Sequence, residues 1–167
     1  CRWAPEKVIG RGVKPSKRMR RMSKTGADHS KSLADGRAIY IDGQLVTEPQ
    51  SHPAFRRGIE TVAHLYDLQA ADPEGMTFAS PTNGRRVGLH WKMPHAYADL
   101  VARRQAMTRW TRATCGFFGR SPDHISTSVL GMLMALGRFE ASHPDRARAL
   151  QGWFEYARDH DLYVTYT

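Results

Sequence analysis

The residues best placed to do chemistry lie in one short stretch, Gly119-Arg-Ser-Pro-Asp-His124. Ser121 suits a helix N-cap, Pro122 the first helical position, and Asp123 the negative charge favoured in a first turn. None of that requires a guanidinium at Arg120, an imidazole at His124 or the glycine before them. Helix N-terminal amides and an arginine both favour negative charge, and a histidine carries or relays a proton near neutral pH. The combination fits an oxyanion such as a phenolate or a carboxylate. The plainer alternative is a structural corner whose arginine pairs with a nearby carboxylate.

Little else in the chain competes. There is no GxSxG, Walker loop, GxGxxG or HExxH pattern. Of eight histidines, His52 and His143 precede proline at expected helix starts, where capping accounts for them. His64 lies inside a helical pattern and His160 near the end of one, where the helix dipole favours a cation. His90 and His95 flank Trp91 and Pro94, and spacing does not rank them. Two cysteines, Cys1 and Cys115, make neither a disulfide framework nor a CxxC metal pair.

The corner joins two long apolar-periodic segments. Upstream, Pro94 starts a helix over about 95–115, with Tyr97, Leu100, Val101, Met107 and Trp110 on its buried side. Arg103, Arg104, Arg109 and Arg112 are read as its solvated face. Downstream, a helix runs from Pro122 to about Arg138 with Ile125, Val129, Met132, Leu133 and Leu136 as its apolar stripe. Met132 and Met134 are read as core filler. His143-Pro144 opens a further helix with Leu150, Phe154 and Ala157 inward. Leu162-Tyr-Val-Thr-Tyr-Thr167 reads as a β-strand, which implies a chain cut short of its partner strand.

Before the corner, Thr25 to Ser32 is a short helix capped by Thr25 or Asp28. Ala38–Ile41 and Gln44–Thr47 form a hairpin around Asp42-Gly43. Ser51-His52-Pro53 opens a long helix with Phe55, Ile59, Val62 and Tyr66 on one face, ended by Asp72-Pro-Glu-Gly75. Met76–Ser80 and Val87–Trp91 read as two strands joined through Asn83-Gly84.

The chain has 167 residues and a net charge of +9. Residues 1–24 hold nine Lys/Arg against one acid, Glu6, whereas the other 143 residues hold 16 Lys/Arg and 15 Asp/Glu. The folded body is therefore near neutral, and the high pI belongs to a basic leader. That leader is read as a disordered tail, with a nucleic-acid or anionic-membrane arm as the alternative. No apolar run approaches the roughly 18 residues of a membrane span, and no apolar region follows the basic start as in a secretory signal. A cytoplasmic, reducing compartment is expected.

Several blocks in order resemble one family. They are Ser32-Leu-Ala-Asp-Gly-Arg-Ala-Ile-Tyr-Ile-Asp-Gly43, His52-Pro-Ala-Phe55 with Ala63-His-Leu-Tyr-Asp-Leu-Gln69, Met76-Thr-Phe with Ser80-Pro, Arg103-Arg-Gln-Ala, Gly119-Arg-Ser-Pro-Asp123 and Asp161-Leu-Tyr-Val-Thr-Tyr-Thr167. Residues 25–167 thus resemble the N-terminal region of the 4-hydroxyphenylacetate 3-monooxygenase oxygenase components, the two-component phenol hydroxylases that use reduced flavin. The resemblance implies a mainly α fold with short β-hairpins (α+β). This is the N-terminal helical domain, 25–160, of an acyl-CoA-dehydrogenase-like flavoprotein, with 161–167 as the first strand of a β-barrel domain. It implies ortho-hydroxylation of a phenol with O2 through a flavin C4a-hydroperoxide, FAD reduced by a separate flavin reductase, and a homo-oligomer at full length.

The resemblance also implies site residues. Arg120 matches the family arginine that contacts the phenolic oxygen. His124 stands where the family commonly has Tyr, and Tyr166 where it has His, so both partners of the arginine differ. Both side chains hydrogen-bond through a polar tip, so the pairing survives the exchange while the identity of the phenol is opened, to free or carrier-bound substrates. Thr167 follows as a cofactor contact. Two other readings remain. One is a 4-hydroxybutyryl-CoA dehydratase type, which needs several cluster thiolates where only Cys115 lies near the corner. The other is a non-enzymatic basic nucleic-acid-binding module, which rests on the leader alone.

Overall fold

Thr25 caps the first helix. Its hydroxyl accepts the Asp28 N–H at 3.2 Å and the Asp28 carboxylate accepts the Thr25 N–H at 3.0 Å, a reciprocal capping box. The computed structural model describes residues 22–117 and 121–165. Most of the basic leader, and Arg120, Tyr166 and Thr167, lie outside those residues.

Helix α1 (Gly26–Ser32) lies against α2 (Pro53–Ala71), close enough for the Gly26 N–H to reach Asp67 at 2.8 Å. Between them, β1 (Ile39–Ile41) and β2 (Gln44–Val46) pair antiparallel, with Tyr40 opposite Leu45. Asp42 and Gly43 both have positive φ, 50° and 78°, as the expected two-residue turn requires. His52 caps α2, its Nδ1 accepting the Ala54 N–H at 3.2 Å. The buried residues of α2 are Leu65, Tyr66 and Gln69, so the inner face is deepest near its C-terminal end.

One further turn, α3 (Pro73–Met76), leads into β3 (Thr77–Ala79), which pairs with β4 (Arg86–Gly88), Phe78 opposite Val87. The strand expected over Val87–Trp91 stops at Gly88. Leu89–Trp91 is a 3₁₀ turn with all three side chains buried. A strand would alternate these side chains across two faces. The turn instead sends Leu89 into one core cluster, with Leu65, Met76, Ala106 and Trp110, and Trp91 into another, with Ile125, Val129, Leu130, Phe154 and Ala157.

Helix α4 (Tyr97–Ala113) also departs from expectation. Tyr97 and Leu100 are exposed, at 81% and 52%, while Arg103, Ala106 and Trp110 form the buried face. The phase is set by two polar anchors: Trp110 Nε1 donates to the Leu65 carbonyl at 3.2 Å, and Arg103 reaches the 3₁₀ turn.

The helix expected from Pro122 to Arg138 is two helices, α5 (Asp123–Met134) and α6 (Leu136–Ser142), broken at Ala135, whose φ and ψ are −105° and 19°. The break rotates the second segment off the core. Met132 and Met134, in the last turn of α5 on either side of the inward Leu133, are exposed rather than core filler. Helix α7 (Pro144–Asp159) buries Ala147, Phe154, Ala157 and Arg158, and His143 before it makes no side-chain capping bond, unlike His52.

Helix α7 ends in a Schellman motif. The Leu162 N–H reaches the Ala157 carbonyl at 3.0 Å and the Asp161 N–H reaches Arg158 at 2.9 Å, with Asp161 at φ 46°. Residues 162–165 then run without strand pairing among the described residues, and Leu162 and Val164 pack on the Trp91 cluster. The whole is mainly helical with two small hairpins. No helix of the described residues is long and apolar enough to cross a membrane.

Candidate functional site

Two stretches far apart in sequence meet at the corner. Pro122 and Tyr163 line one small cavity with Val62, Leu65, Tyr66, Gln69, His90 and Trp110. Burial, with the Asp123 carboxylate nearby, raises the Tyr163 hydroxyl to about 12. The fold therefore brings the start of α5 against the segment that leaves α7. Arg120, two positions before Pro122, and Tyr166 and Thr167, beyond Tyr163, lie outside the described residues.

The corner itself differs from a simple capped start. Pro122 already has helical backbone angles, φ −56° and ψ −26°, and makes no side-chain cap. The Ser121 hydroxyl donates to the Asp123 carboxylate. The His124 N–H closes the turn on the Ser121 carbonyl at 3.1 Å, and the side chain of His124 is exposed.

Beneath the corner is a polar hub that spacing did not identify. Asp161 is 3% exposed. Its carboxylate accepts the Gly88 N–H at 3.0 Å and the Gln69 amide at 2.5 Å, and its carbonyl accepts the Tyr66 hydroxyl at 2.6 Å. Burial pushes the Asp161 carboxyl up to about 6, against the opposing pull of these donors and of the Lys24 and Arg85 charges. Asp161 thus does two jobs. It takes the left-handed position where glycine is usual, and it ties the exit of α7 to α2 and β4.

His90 is the second unforeseen member. It is 2% exposed, and burial, reinforced by the Arg103 charge, lowers its imidazole to about 3. The ring is neutral near pH 7. Arg103, read as a solvated charge, is buried at 9% exposure. Its guanidinium donates to the carbonyls of His90, Leu89 at 3.3 Å and Lys92 at 2.9 Å, and to Thr127 on α5 at 3.1 Å. It holds the 3₁₀ turn against α5 and is not directed at a ligand. No sequence signal separates it from Arg104.

The small cavity at the corner does not seat FAD. The cavity at the corner has room for a water's centre of only about 10 Å³. Four helix starts are filled by the protein's own groups: Asp67 and Thr25 at α1, His52 at α2, Asp72 at α3 and Asp99 at α4. Those four are not open to a pyrophosphate, whereas α5 and α7 start without a side-chain cap. Among the described residues no group of three or more His, Cys, Asp or Glu is arranged to hold a metal.

Comparison with known proteins gives this geometry a context. Residues 25–167 match the family described as 4-hydroxyphenylacetate 3-hydroxylase N terminal. The oxygenase component of 4-hydroxyphenylacetate 3-monooxygenase from Geobacillus sp. (strain PA-9) is 37% identical over 150 residues, 89% of this chain and 30% of that protein. The oxygenase component of 4-nitrophenol 2-monooxygenase from Rhodococcus sp. is 36% identical over 146 residues, 85% of this chain and 27% of that protein. A crystal structure of a 4-hydroxyphenylacetate 3-monooxygenase oxygenase component with FAD and 4-hydroxyphenylacetate superposes with a TM-score of 0.74 at 30% identity, over 84% of this chain and 29% of that one. A 4-hydroxybutyryl-CoA dehydratase from N. maritimus, at 22% identity and a TM-score of 0.69, shares the fold alone. The chain spans about 30% of the length of the curated relatives it matches. It belongs to the 4-hydroxyphenylacetate 3-hydroxylase family, of which it carries the N-terminal region.

Proposed function

We propose that this chain is the substrate-facing N-terminal region of a two-component aromatic monooxygenase. The whole protein hydroxylates a phenol ortho to its hydroxyl, with O2 and with FAD reduced by a separate flavin reductase, and it assembles as a homo-oligomer. The observation that carries the reading is the meeting of Pro122 and Tyr163 on one cavity, with the Asp123 charge acting on the Tyr163 hydroxyl. It supports a site in which Arg120 and Tyr166 are neighbours although 46 positions separate them.

In that site the Arg120 guanidinium donates to the phenolic oxygen and favours its ionised form. A phenolate is more electron-rich at the ortho carbon than the neutral phenol, which is the position hydroxylated. His124 and Tyr166 hydrogen-bond the same oxygen or its proton through their polar tips. Relatives named for 4-hydroxyphenylacetate and 4-nitrophenol frame the substrate class as a para-substituted phenol. The exchanged His124 and Tyr166 set this chain's preference within that class. Thr167 is a flavin contact in the whole protein, and the described residues by themselves neither hold FAD nor turn over.

The test is Arg120→Ala in a chain extended to the length of its relatives. Hydroxylation falls by roughly 10²–10³-fold, the size of one lost charge-stabilising donor, while flavin reduction by the partner is unchanged. An unaltered hydroxylation rate overturns the role of Arg120. Measurable hydroxylation by residues 1–167 alone, supplied with the reductase, overturns the reading that the flavin is held elsewhere.

A further inference from the structure

Four buried side-chain polar atoms lack a protein hydrogen-bond partner among the described residues, and three of them belong to two neighbouring side chains: Gln69 Oε1, His90 Nδ1 and His90 Nε2. Buried polar atoms are nearly always satisfied, by protein or by an ordered water. The orientation of Gln69 is decided by its partner. Its amide nitrogen donates to the Asp161 carboxylate at 2.5 Å, an acceptor that the amide oxygen cannot serve, so Oε1 points the other way. Gln69 is fully buried and His90 nearly so.

These atoms converge beside Gly88. A Cβ on Gly88 would stand 2.4 Å from His90 Nδ1 and 2.6 Å from Gln69 Oε1, so the two atoms lie no more than about 5 Å apart. One water, at about 2.8 Å from each, spans up to roughly 5.6 Å. The adjoining cavity offers about 10 Å³ for a water's centre, against the roughly 10–15 Å³ that one internal water needs. Its other walls, Leu65, Trp110 and Pro122 among them, admit nothing larger. A neutral imidazole presents one donor and one acceptor, and a water complements both it and the amide oxygen.

We propose that Gln69, His90 and Gly88 form a buried site for one water molecule, which bridges Gln69 Oε1 to the His90 imidazole beneath Pro122 and Tyr163. The chain Asp161–Gln69–water–His90 then links α7's exit, α2 and the 3₁₀ turn under the candidate site. A Cβ at Gly88 would press on the His90 ring at 2.4 Å and on Gln69 Oε1 at 2.6 Å, so any side chain there crowds the two atoms that the water bridges. The inference does not rest on the proposed reaction.

A crystal structure of this protein with ordered solvent tests it directly. The expected result is one density peak about 2.7–3.2 Å from both Gln69 Oε1 and a His90 ring nitrogen. A dry cavity, or a direct His90–Gln69 hydrogen bond, overturns the proposal. In solution, water-¹⁷O relaxation dispersion detects the long-lived internal water in the parent protein and loses one such water in His90→Phe, which keeps a ring but no nitrogens. An unchanged count in His90→Phe overturns the site. If that variant fails to fold, the parent's crystal structure still decides.

Discussion

Gln69 and Asp161, 92 positions apart, share a hydrogen bond of 2.5 Å between the amide nitrogen and a carboxylate oxygen buried at 3% exposure. It joins the middle of the chain to the point where helix α7 ends. The segment carrying Tyr163 leaves the helix there.

The pH dependence of stability reads out this hub. Asp161, raised to about 6 by burial, keeps a proton in the folded state that the unfolded chain releases above pH 4; by itself it makes stability fall as pH rises from 4 to 6. His90 and His29, lowered by burial to about 3 and about 4, refuse protons that the unfolded chain takes up below 6.5; they make stability fall as pH drops. Two histidines outweigh one aspartate, so unfolding between pH 6 and 4 takes up about one net proton, a slope of roughly 1.4 kcal/mol per pH unit. Urea denaturation at pH 6, 5 and 4 measures it. Asp161→Asn steepens the slope towards two protons, and His90→Phe flattens it. Stability that is level or rises on acidification of the parent protein contradicts the assignment.

Arg103→Met removes the buried donor from the carbonyls of His90 and Lys92, while the Leu89 carbonyl keeps the Lys92 N–H at 3.0 Å. The expected loss is about 2–4 kcal/mol of unfolding free energy, and Arg103→Lys restores less than half because an ammonium cannot reproduce the planar fork. Arg104→Met, on the exposed side of the same helix, changes stability by less than about 0.5 kcal/mol. Equal effects at 103 and 104 would refute the role given to the buried guanidinium.

Gly26→Ala and Gly75→Ala separate a rigid close approach from a soft one. A Cβ at 26 meets the Ala63 carbonyl oxygen at 2.5 Å, a backbone atom of α2. The atoms nearest a Cβ at 75 are the side-chain tips of Asp72 and Arg109, of which the half-exposed Arg109 can swing aside. Thermal unfolding is expected to show about 1–3 kcal/mol lost for Gly26→Ala and under about 1 kcal/mol for Gly75→Ala. A reversed order contradicts the packing of α1 on α2.

The double exchange His124→Tyr with Tyr166→His addresses substrate choice in the extended chain. The ratio of kcat/KM for 4-hydroxyphenylacetate over 4-nitrophenol is expected to shift by about tenfold, the worth of one rearranged hydrogen bond. A ratio that stays within twofold removes both positions as selectors.

Local sequence determined the features that depend on neighbouring residues. The Thr25 and His52 caps, the Asp42-Gly43 turn and the prolines at the starts of α2 and α7 follow from steric and hydrogen-bonding preferences acting within four residues. The ordered motif blocks determined the family. Tertiary structure decided what depends on distant partners. Arg103 and Arg104 are indistinguishable in sequence, and only the 3₁₀ turn's free carbonyls make one of them a buried donor. In sequence Asp161 reads as the head of a motif block and of a strand, and its buried hub role comes only with Gln69 and Gly88, both more than seventy positions earlier, as donors. The apolar pattern of 122–138 did not reveal the break at Ala135, because periodicity reports which residues are apolar and not where a core ends. The same limit holds at the corner: Ser121, Pro122 and Asp123 announce a helix start by themselves, but packing alone sets Tyr163 against it.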